Sequence, residues 1–292
     1  MAESPFSFRQ GEGSISYQDD ITGTPAASLQ PRARGTAAVA SQFKDGQSRI
    51  RDLRQSGAMK LLFPQGRPWL EAVMINSAGG ITGGDRFAVT ARAAANSRLT
   101  VTTQAAERAY RSQPDETARM ETRLYAEEGA ALHWLPQETI LYDACRYSRS
   151  LRADLDAGAR FLMVEPLVFG RTGMGETLTE GLFRDRIDIR RAGQRLFYDS
   201  TRLEGDIAAT LPGTATGGGA AAMASLLLVA PDAETHLAPL RAALPETGGA
   251  TLLHPDTLYL RLLAPDSFEL RKILLPILDR LTGDGLPLAW RL

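Results

Sequence analysis

Cysteine is nearly absent from this chain of 292 residues: Cys145 is the only one. It has no internal disulfide partner, which excludes a disulfide-stapled secreted scaffold and fits a reducing compartment. With no C-x-x-C partner, a lone cysteine is more often a small buried hydrophobe than a reactive thiol. Histidine is almost as scarce, and His133, His236 and His254 lie far apart, none in an H-x-x-x-H or H-E-x-x-H spacing. His133 alternates with Leu132 and Trp134 and is expected to face outward on a strand. Net charge is also missing: Lys+Arg 33 against Asp+Glu 34 leaves −1, so no whole-protein field attracts nucleic acid or an acidic membrane. The longest apolar run, Met223 to Ala230, is far short of the ~20 residues that cross a bilayer. The N-terminus carries Glu3 and no apolar segment of signal length, so a cytoplasmic protein is expected. No G-x-S-x-G elbow occurs, and no pair of carboxylates is singled out as acid and base.

What the sequence does have is glycine in paired steps. Asn76-Ser77-Ala78-Gly79-Gly80-Ile81-Thr82-Gly83-Gly84-Asp85-Arg86-Phe87 lies between two apolar segments, Trp69–Ile75 and Phe87–Thr90, that read as strands. Glycine reaches positive φ without a Cβ clash and allows close approach of another chain, so Gly79, Gly80, Gly83 and Gly84 suit a tight double turn or a contact platform. A phosphate cradle fails on detail. No Lys-Ser/Thr pair follows the last glycine, and Asp85 puts a negative charge where phosphate would sit.

Short segments of period two dominate the chain from residue 36 to about residue 210. The clearest is Ala118 to Leu124, where small or apolar residues alternate with charges up to a turn at Glu127-Glu128-Gly129. Similar strands are expected over 147–155, 161–164 and 183–189, the last joined to 195–198 as a hairpin. Repeated strands with Gly-containing turns predict a mainly β, mainly antiparallel body of many short strands. Residues 1–34 read as a mobile arm and 35–210 as the β-rich body. Residues 211–292 read as a small C-terminal α/β part packed on that body as one domain. In that last part, Leu226–Val229 and Thr257–Leu262 are expected strands, and 234–244 an expected helix. A final helix starts at Asp266 with a capping box to Glu269 and carries Pro276 as an expected kink.

The glycine stretch also carries a resemblance. Together with Thr102–Ala106 running to Ser112, Trp134–Glu138 running to Asp143, and Phe169–Glu176, it resembles the urease accessory protein D (UreD/UreH) family, whose motifs follow in this order and spacing. The resemblance implies an unusual β-rich fold with very few helices and no catalytic residue. It implies a scaffold or metallochaperone that helps assemble the urease nickel centre. Its partners would be apo-urease, the helical urease accessory protein F and, through the complex, the GTPase urease accessory protein G. Nickel would be a weakly held, transient cargo, and no organic cofactor is implied. Asp85, Glu138, Asp143 and Glu176 are then candidate oxygen ligands along a nickel route, and Glu165 belongs to the same run of carboxylates. Ser77, Gly79, Gly80, Gly83, Gly84 and Arg86 are candidate structural or interaction positions. For each carboxylate the alternative is a turn residue or partner of a nearby arginine. A second reading is a β-fold hydrolase that uses Glu138 and Glu176 as acid and base.

Overall fold

The computed structural model describes residues 31–291, so most of the arm expected over 1–34 lies outside the described residues. From Arg32 onward the chain forms one compact unit.

Two large sheets face each other. The first contains β1 (Arg34–Lys44), β2 (Gln47–Gly57), β5 (Arg86–Ala93), β8 (Ala118–Ala126), β11 (Cys145–Leu155), β13 (Gly181–Arg191) and β14 (Gln194–Glu204), in the spatial order β14-β13-β11-β8-β5-β1-β2. The second contains β3 (Met59–Leu62), β4 (Leu70–Asn76), β6 (Arg98–Thr103), β9 (Ala131–Leu135), β12 (Arg160–Phe169), β15 (Ala222–Val229), β16 (Gly248–His254) and β17 (Thr257–Ala264), in the order β16-β17-β15-β12-β9-β6-β4-β3. The short strands β7 (Glu107–Ala109) and β10 (Thr139–Leu141) pair with each other and, through β10, with β12.

The chain steps alternately from one sheet to the other, and successive strands in each sheet run parallel. Phe87 thus pairs with Met120 on the next coil, and Leu70 with Leu99, Leu132 and Phe161 in turn. The body is therefore a parallel, solenoid-like coil with antiparallel pairing only towards its margins, at β1–β2, β13–β14, β3–β4 and β12 onward. This corrects the expectation of a mainly antiparallel body. Period two reports which face a residue occupies, not the direction of the strand beside it.

Stacking equivalent residues along the coil makes the core. Val39, Ala91, Leu124, Ala153 and Ile189 form one buried ladder in the first sheet. Leu70, Leu99, Leu132 and Phe161 oppose it from the second sheet. A single turn, α1 (Ile207–Thr210), follows β14, and the second sheet is covered on its outer face by α2 (Ala233–Ala243) and α3 (Ser267–Thr282). Buried on both sides, β12 and β15 read as continuous apolar runs, not as alternating strands. Asp266 caps α3 by accepting from the Glu269 amide at 2.8 Å, Gly283 closes it in the left-handed conformation, and the helix continues through Pro276. Trp290, fully buried, donates its indole N–H to the Leu135 carbonyl at 3.0 Å and fixes the end of the chain.

His133 faces away from the inter-sheet core that takes Leu132 and Trp134, as expected, but that outer face is half-buried. It sits between Thr100 and Leu162 on the covered side of the second sheet, with Nδ1 enclosed and without a hydrogen-bond partner. Burial, aided by Arg98 and Arg160, pushes its pKa down to about 3, so the imidazole is neutral.

Candidate functional site

The four sequence segments that carry the family resemblance form one corner of the coil, repeated on successive turns. Each follows a strand of the second sheet, β4, β6, β9 or β12, and leads towards the first. Ile81, Ala109, Leu141 and Phe169 stack there as a short third side, all buried. The Ile81 amide donates to the Arg108 carbonyl at 2.7 Å, Tyr142 N to Ala109 O at 2.9 Å, and Gly170 N to Leu141 O at 2.8 Å. Segments far apart in sequence are thereby bonded rung to rung.

The glycine stretch is the first of these rungs. Gly80 has φ +155°, and a Cβ there would lie 2.2 Å from Cε2 of Tyr110, so the ring occupies the space any side chain needs. Tyr110 stands edge-on to Tyr142 at 4.9 Å, and the Arg171 guanidinium lies 4.3 Å over the Tyr142 ring. Gly79 has φ +80° with open space around it, whereas Gly83 does not have positive φ. Gly83 is required for another reason: a Cβ would fall 2.5 Å from the Glu116 carbonyl oxygen. At Gly84, φ is +84°. Ser77 donates its hydroxyl to the Ala58 carbonyl at 3.0 Å and ties the stretch to β3. Arg86 is exposed at the start of β5.

The candidate carboxylates fall in three different places. Asp85 is buried, and its two oxygens accept from the amides of Ala33 at 2.7 Å and Thr82 at 2.9 Å, which closes the loop and anchors the start of β1. Glu138, also buried, accepts from Arg271 on α3 at 2.6 and 2.9 Å. Only Asp143 and Glu176 meet. Asp143 Oδ1 accepts from the amides of Thr179 and Glu180 and from the Thr179 hydroxyl, while Oδ2 accepts from Arg111 at 2.8 Å. Glu176 accepts from the Asp143 amide at 3.0 Å and pairs with Arg171. Burial opposes ionisation of Asp143, but its amide and hydroxyl donors outweigh it and lower the pKa. The Arg171 hydrogen bond lowers that of Glu176. The four candidates along the expected route thus lie in three places, and each already has its oxygens on backbone amides or an arginine. The same partners account for Glu138 and Glu176, which belong to separate ion pairs, one to α3 and one within the corner. Cys145 is buried, and burial pushes its thiol up to about 12.

Between the sheets lies a small cavity whose wall is mostly apolar, from Met74, Ile81, Met120 and Leu151, but carries several charged side chains. This cavity, of about 50 Å³, is also lined by Glu107, Trp134, Tyr147, Arg149, Glu165 and Asp185, among others, with room for a few water molecules. Arg149 bridges Glu165 at 2.6 Å and Asp185 at 2.7 Å, and Trp134 Nε1 donates to Glu165 at 2.7 Å. Burial raises the pKa of Glu165 despite Arg149. Burial likewise raises that of Glu107, although the Asn76 amide donates to it at 3.1 Å. The cavity shares Met74, Thr103 and Glu107 with an open pocket of about 220 Å³ beside Asn76, Gly79 and Gln104. On its other side it shares Met120, Arg149, Ser150 and Asp185 with a groove on the outer face of the first sheet. Among the described residues no group of three or more His, Cys, Asp or Glu could hold a metal ion.

The model of the family described as UreD urease accessory protein matches residues 33–289. The chain belongs to the UreD family of urease accessory proteins. It is 56% identical over 276 residues to a urease accessory protein UreD of Ruegeria sp., covering 91% of this chain and 93% of that one. It is 53% identical over 263 residues to that of Roseobacter denitrificans, with 90% and 96% covered. Urease accessory protein UreD 1 of Brucella melitensis is 45% identical over 268 residues, with 90% and 95% covered. In this UreD-family chain the interior polar residues missed in sequence are Glu107, Arg149 and Asp185. Two of them carried a readable signal. Arg149 falls in the inward register of Tyr147, Leu151 and Ala153, and Asp185 in that of Phe183, Ile187 and Ile189. A charge at an inward position must have a buried partner.

Proposed function

We propose that this chain acts as a scaffold and metallochaperone in assembly of the urease nickel centre, and that nickel moves through its interior past the charged side chains there. It bridges apo-urease and the helical accessory protein F, with the GTPase accessory protein G joining through the complex, in the cytoplasm. The observation that carries this reading is the run from open pocket to interior cavity to outer groove, in a chain of the UreD family. Its chemistry suits a cargo. Nickel(II) in stable sites prefers nitrogen and sulfur donors, so carboxylate oxygens met one at a time hold it weakly enough to release it. Glu107 stands where the open pocket and the cavity share lining, and Glu165 and Asp185 stand further in, partly neutralised by Arg149. The carboxylates at the corner keep the walls in place.

The test is reconstitution. Apo-urease is supplied with nickel, bicarbonate and GTP, with both other accessory proteins present, and with or without this chain. Nickel incorporated into urease should rise severalfold when the chain is present, and the chain should co-purify with both apo-urease and the helical partner. Full incorporation without it would refute the proposal.

A further inference from the structure

The outer face of the first sheet carries a groove of about 410 Å³ whose chemistry points to an acidic partner. Ser148 and Ser150 of β11 are among its lining residues, and their short side chains leave the strand low. The pairing register sets Arg119 of β8 on one side of Ser148 and Arg184 of β13 on the other, and Glu121 of β8 and Arg186 of β13 on either side of Ser150. All three arginines are exposed. Among the described residues none of them forms an ion pair or a side-chain hydrogen bond. Neighbouring arginines behave differently: Arg202 is held by Glu204 and Arg195 by Asp188. Arg119, Arg184 and Arg186 therefore present open guanidinium forks around one trough, the geometry that receives carboxylates.

We infer that this trough is a docking site for an extended acidic segment of a protein partner. Adjacent strands lie about 4.8 Å apart, so the walls on β8 and β13 stand roughly 10 Å apart across β11, wide enough for a single extended chain. Along β13, Arg184 and Arg186 project to the same face with a repeat of roughly 6.7 Å, the spacing of alternate residues in an extended peptide. Carboxylates at alternate positions of the segment thus meet Arg184, with Arg119 across Ser148 from it, and Arg186, with Glu121 across Ser150 from it. A nucleic acid fits less well. Glu121, Glu204 and Asp188 interrupt the basic face, so it offers no continuous line of cations for a run of phosphates, whereas a segment with carboxylates at alternate positions needs only the separate guanidinium groups. The inference concerns surface recognition and does not depend on passage of nickel.

The test uses the full chain and a short fluorescent peptide of alternating Glu and Ser, followed by anisotropy. The comparison ligands are its Gln/Ser analogue, a single-stranded RNA of equal charge, and phosphatidylserine vesicles. The acidic peptide should bind in a salt-sensitive manner, and the Gln analogue should not. Arg184→Gln/Arg186→Gln should weaken binding about tenfold, the combined worth of two partly exposed ion pairs. Arg152→Gln, which removes a nearby guanidinium already paired with Asp154, should leave it within about twofold. These substitutions lie on the exposed face, and unchanged thermal melts confirm that the fold is retained. Failure of the peptide to bind, or equal binding by the double variant, overturns the inference. Tighter binding of RNA or vesicles, lost in the same double variant, overturns it in favour of phosphate recognition.

Discussion

Asp143 shows how much a single side chain contributes to the repeated corner. It gathers donors from Thr179 and Glu180 on one oxygen and Arg111 on the other, while its own amide donates to Glu176. Both carboxylates have native pKa values below their ordinary ones. A lowered carboxylate pKa stabilises the fold above the unfolded value, and that contribution disappears as pH falls through the native value. The corner should therefore hold at neutral pH and weaken from about pH 4.5 downward. Asp143→Asn removes most of that dependence. Thermal melts between about pH 3 and 7 should show a flatter acid limb for the variant and a lower melting temperature at neutral pH. Equal acid limbs would place the stabilising donors elsewhere. Gly80 gives a second prediction at this scale. Alanine there must displace the Tyr110 ring, so Gly80→Ala should cost more than the roughly 1 kcal/mol of φ strain that Gly79→Ala, with open space around it, would carry. Urea unfolding of the two variants measures the difference.

Among the elements, α3 is joined to the coil by apolar packing of Leu270, Leu274, Ile277 and Leu278 and by polar contacts that include Arg271 to Glu138 and Arg98 to the Thr282 carbonyl. Arg271 also reaches the Gln137 side chain and the Trp290 carbonyl, so the segment Trp134–Glu138, α3 and the C-terminal turn share one guanidinium. Glu138→Gln leaves the shape but removes the charge, and should destabilise the protein by about 1.5–3 kcal/mol, the worth of a hydrogen bond to a charged group. Chemical denaturation with unchanged m-value reads this out, and an unchanged midpoint would show that the bridge is idle. The elements themselves were largely legible in the sequence. Ala118–Leu124 alternates because one face meets the core, and Asp266 marks the helix start because its side chain caps Glu269. The coil was not legible, because the residue beside Ala118 in the sheet is Tyr147 on the next turn, and nothing local states that the two strands run parallel. Glu138 was visible as a carboxylate, but its partner lies 133 residues away on a helix. The same distance problem hid the pairing of Arg149 with Glu165 and Asp185, although the inward register of each strand signalled a buried charge.

Over the whole molecule, rigidity and the proposed nickel passage fall to different residues. The corner that repeats through the motifs holds successive coils in register, and Glu107, Arg149, Glu165 and Asp185 bring charge to the small cavity between the sheets. Glu107 is the point at which the two can be separated. Burial raises its pKa, so its ionised form is a cost to the native state that grows as pH rises above the ordinary carboxylate range. Glu107→Gln abolishes that cost and keeps an acceptor for Asn76, so the melting temperature at neutral pH should be unchanged or higher. The same change removes an oxygen anion where the open pocket meets the cavity. The most direct measurement combines assembly and cargo. The complex of apo-urease, both other accessory proteins and this chain is purified with wild-type or Glu107→Gln protein, and subunit ratios are checked. Nickel, bicarbonate and GTP are then added, and nickel per urease active site is followed in time. The account predicts equal subunit ratios and nickel loading slowed severalfold by the variant. Equal subunit ratios with loading at the wild-type rate would contradict passage through the interior.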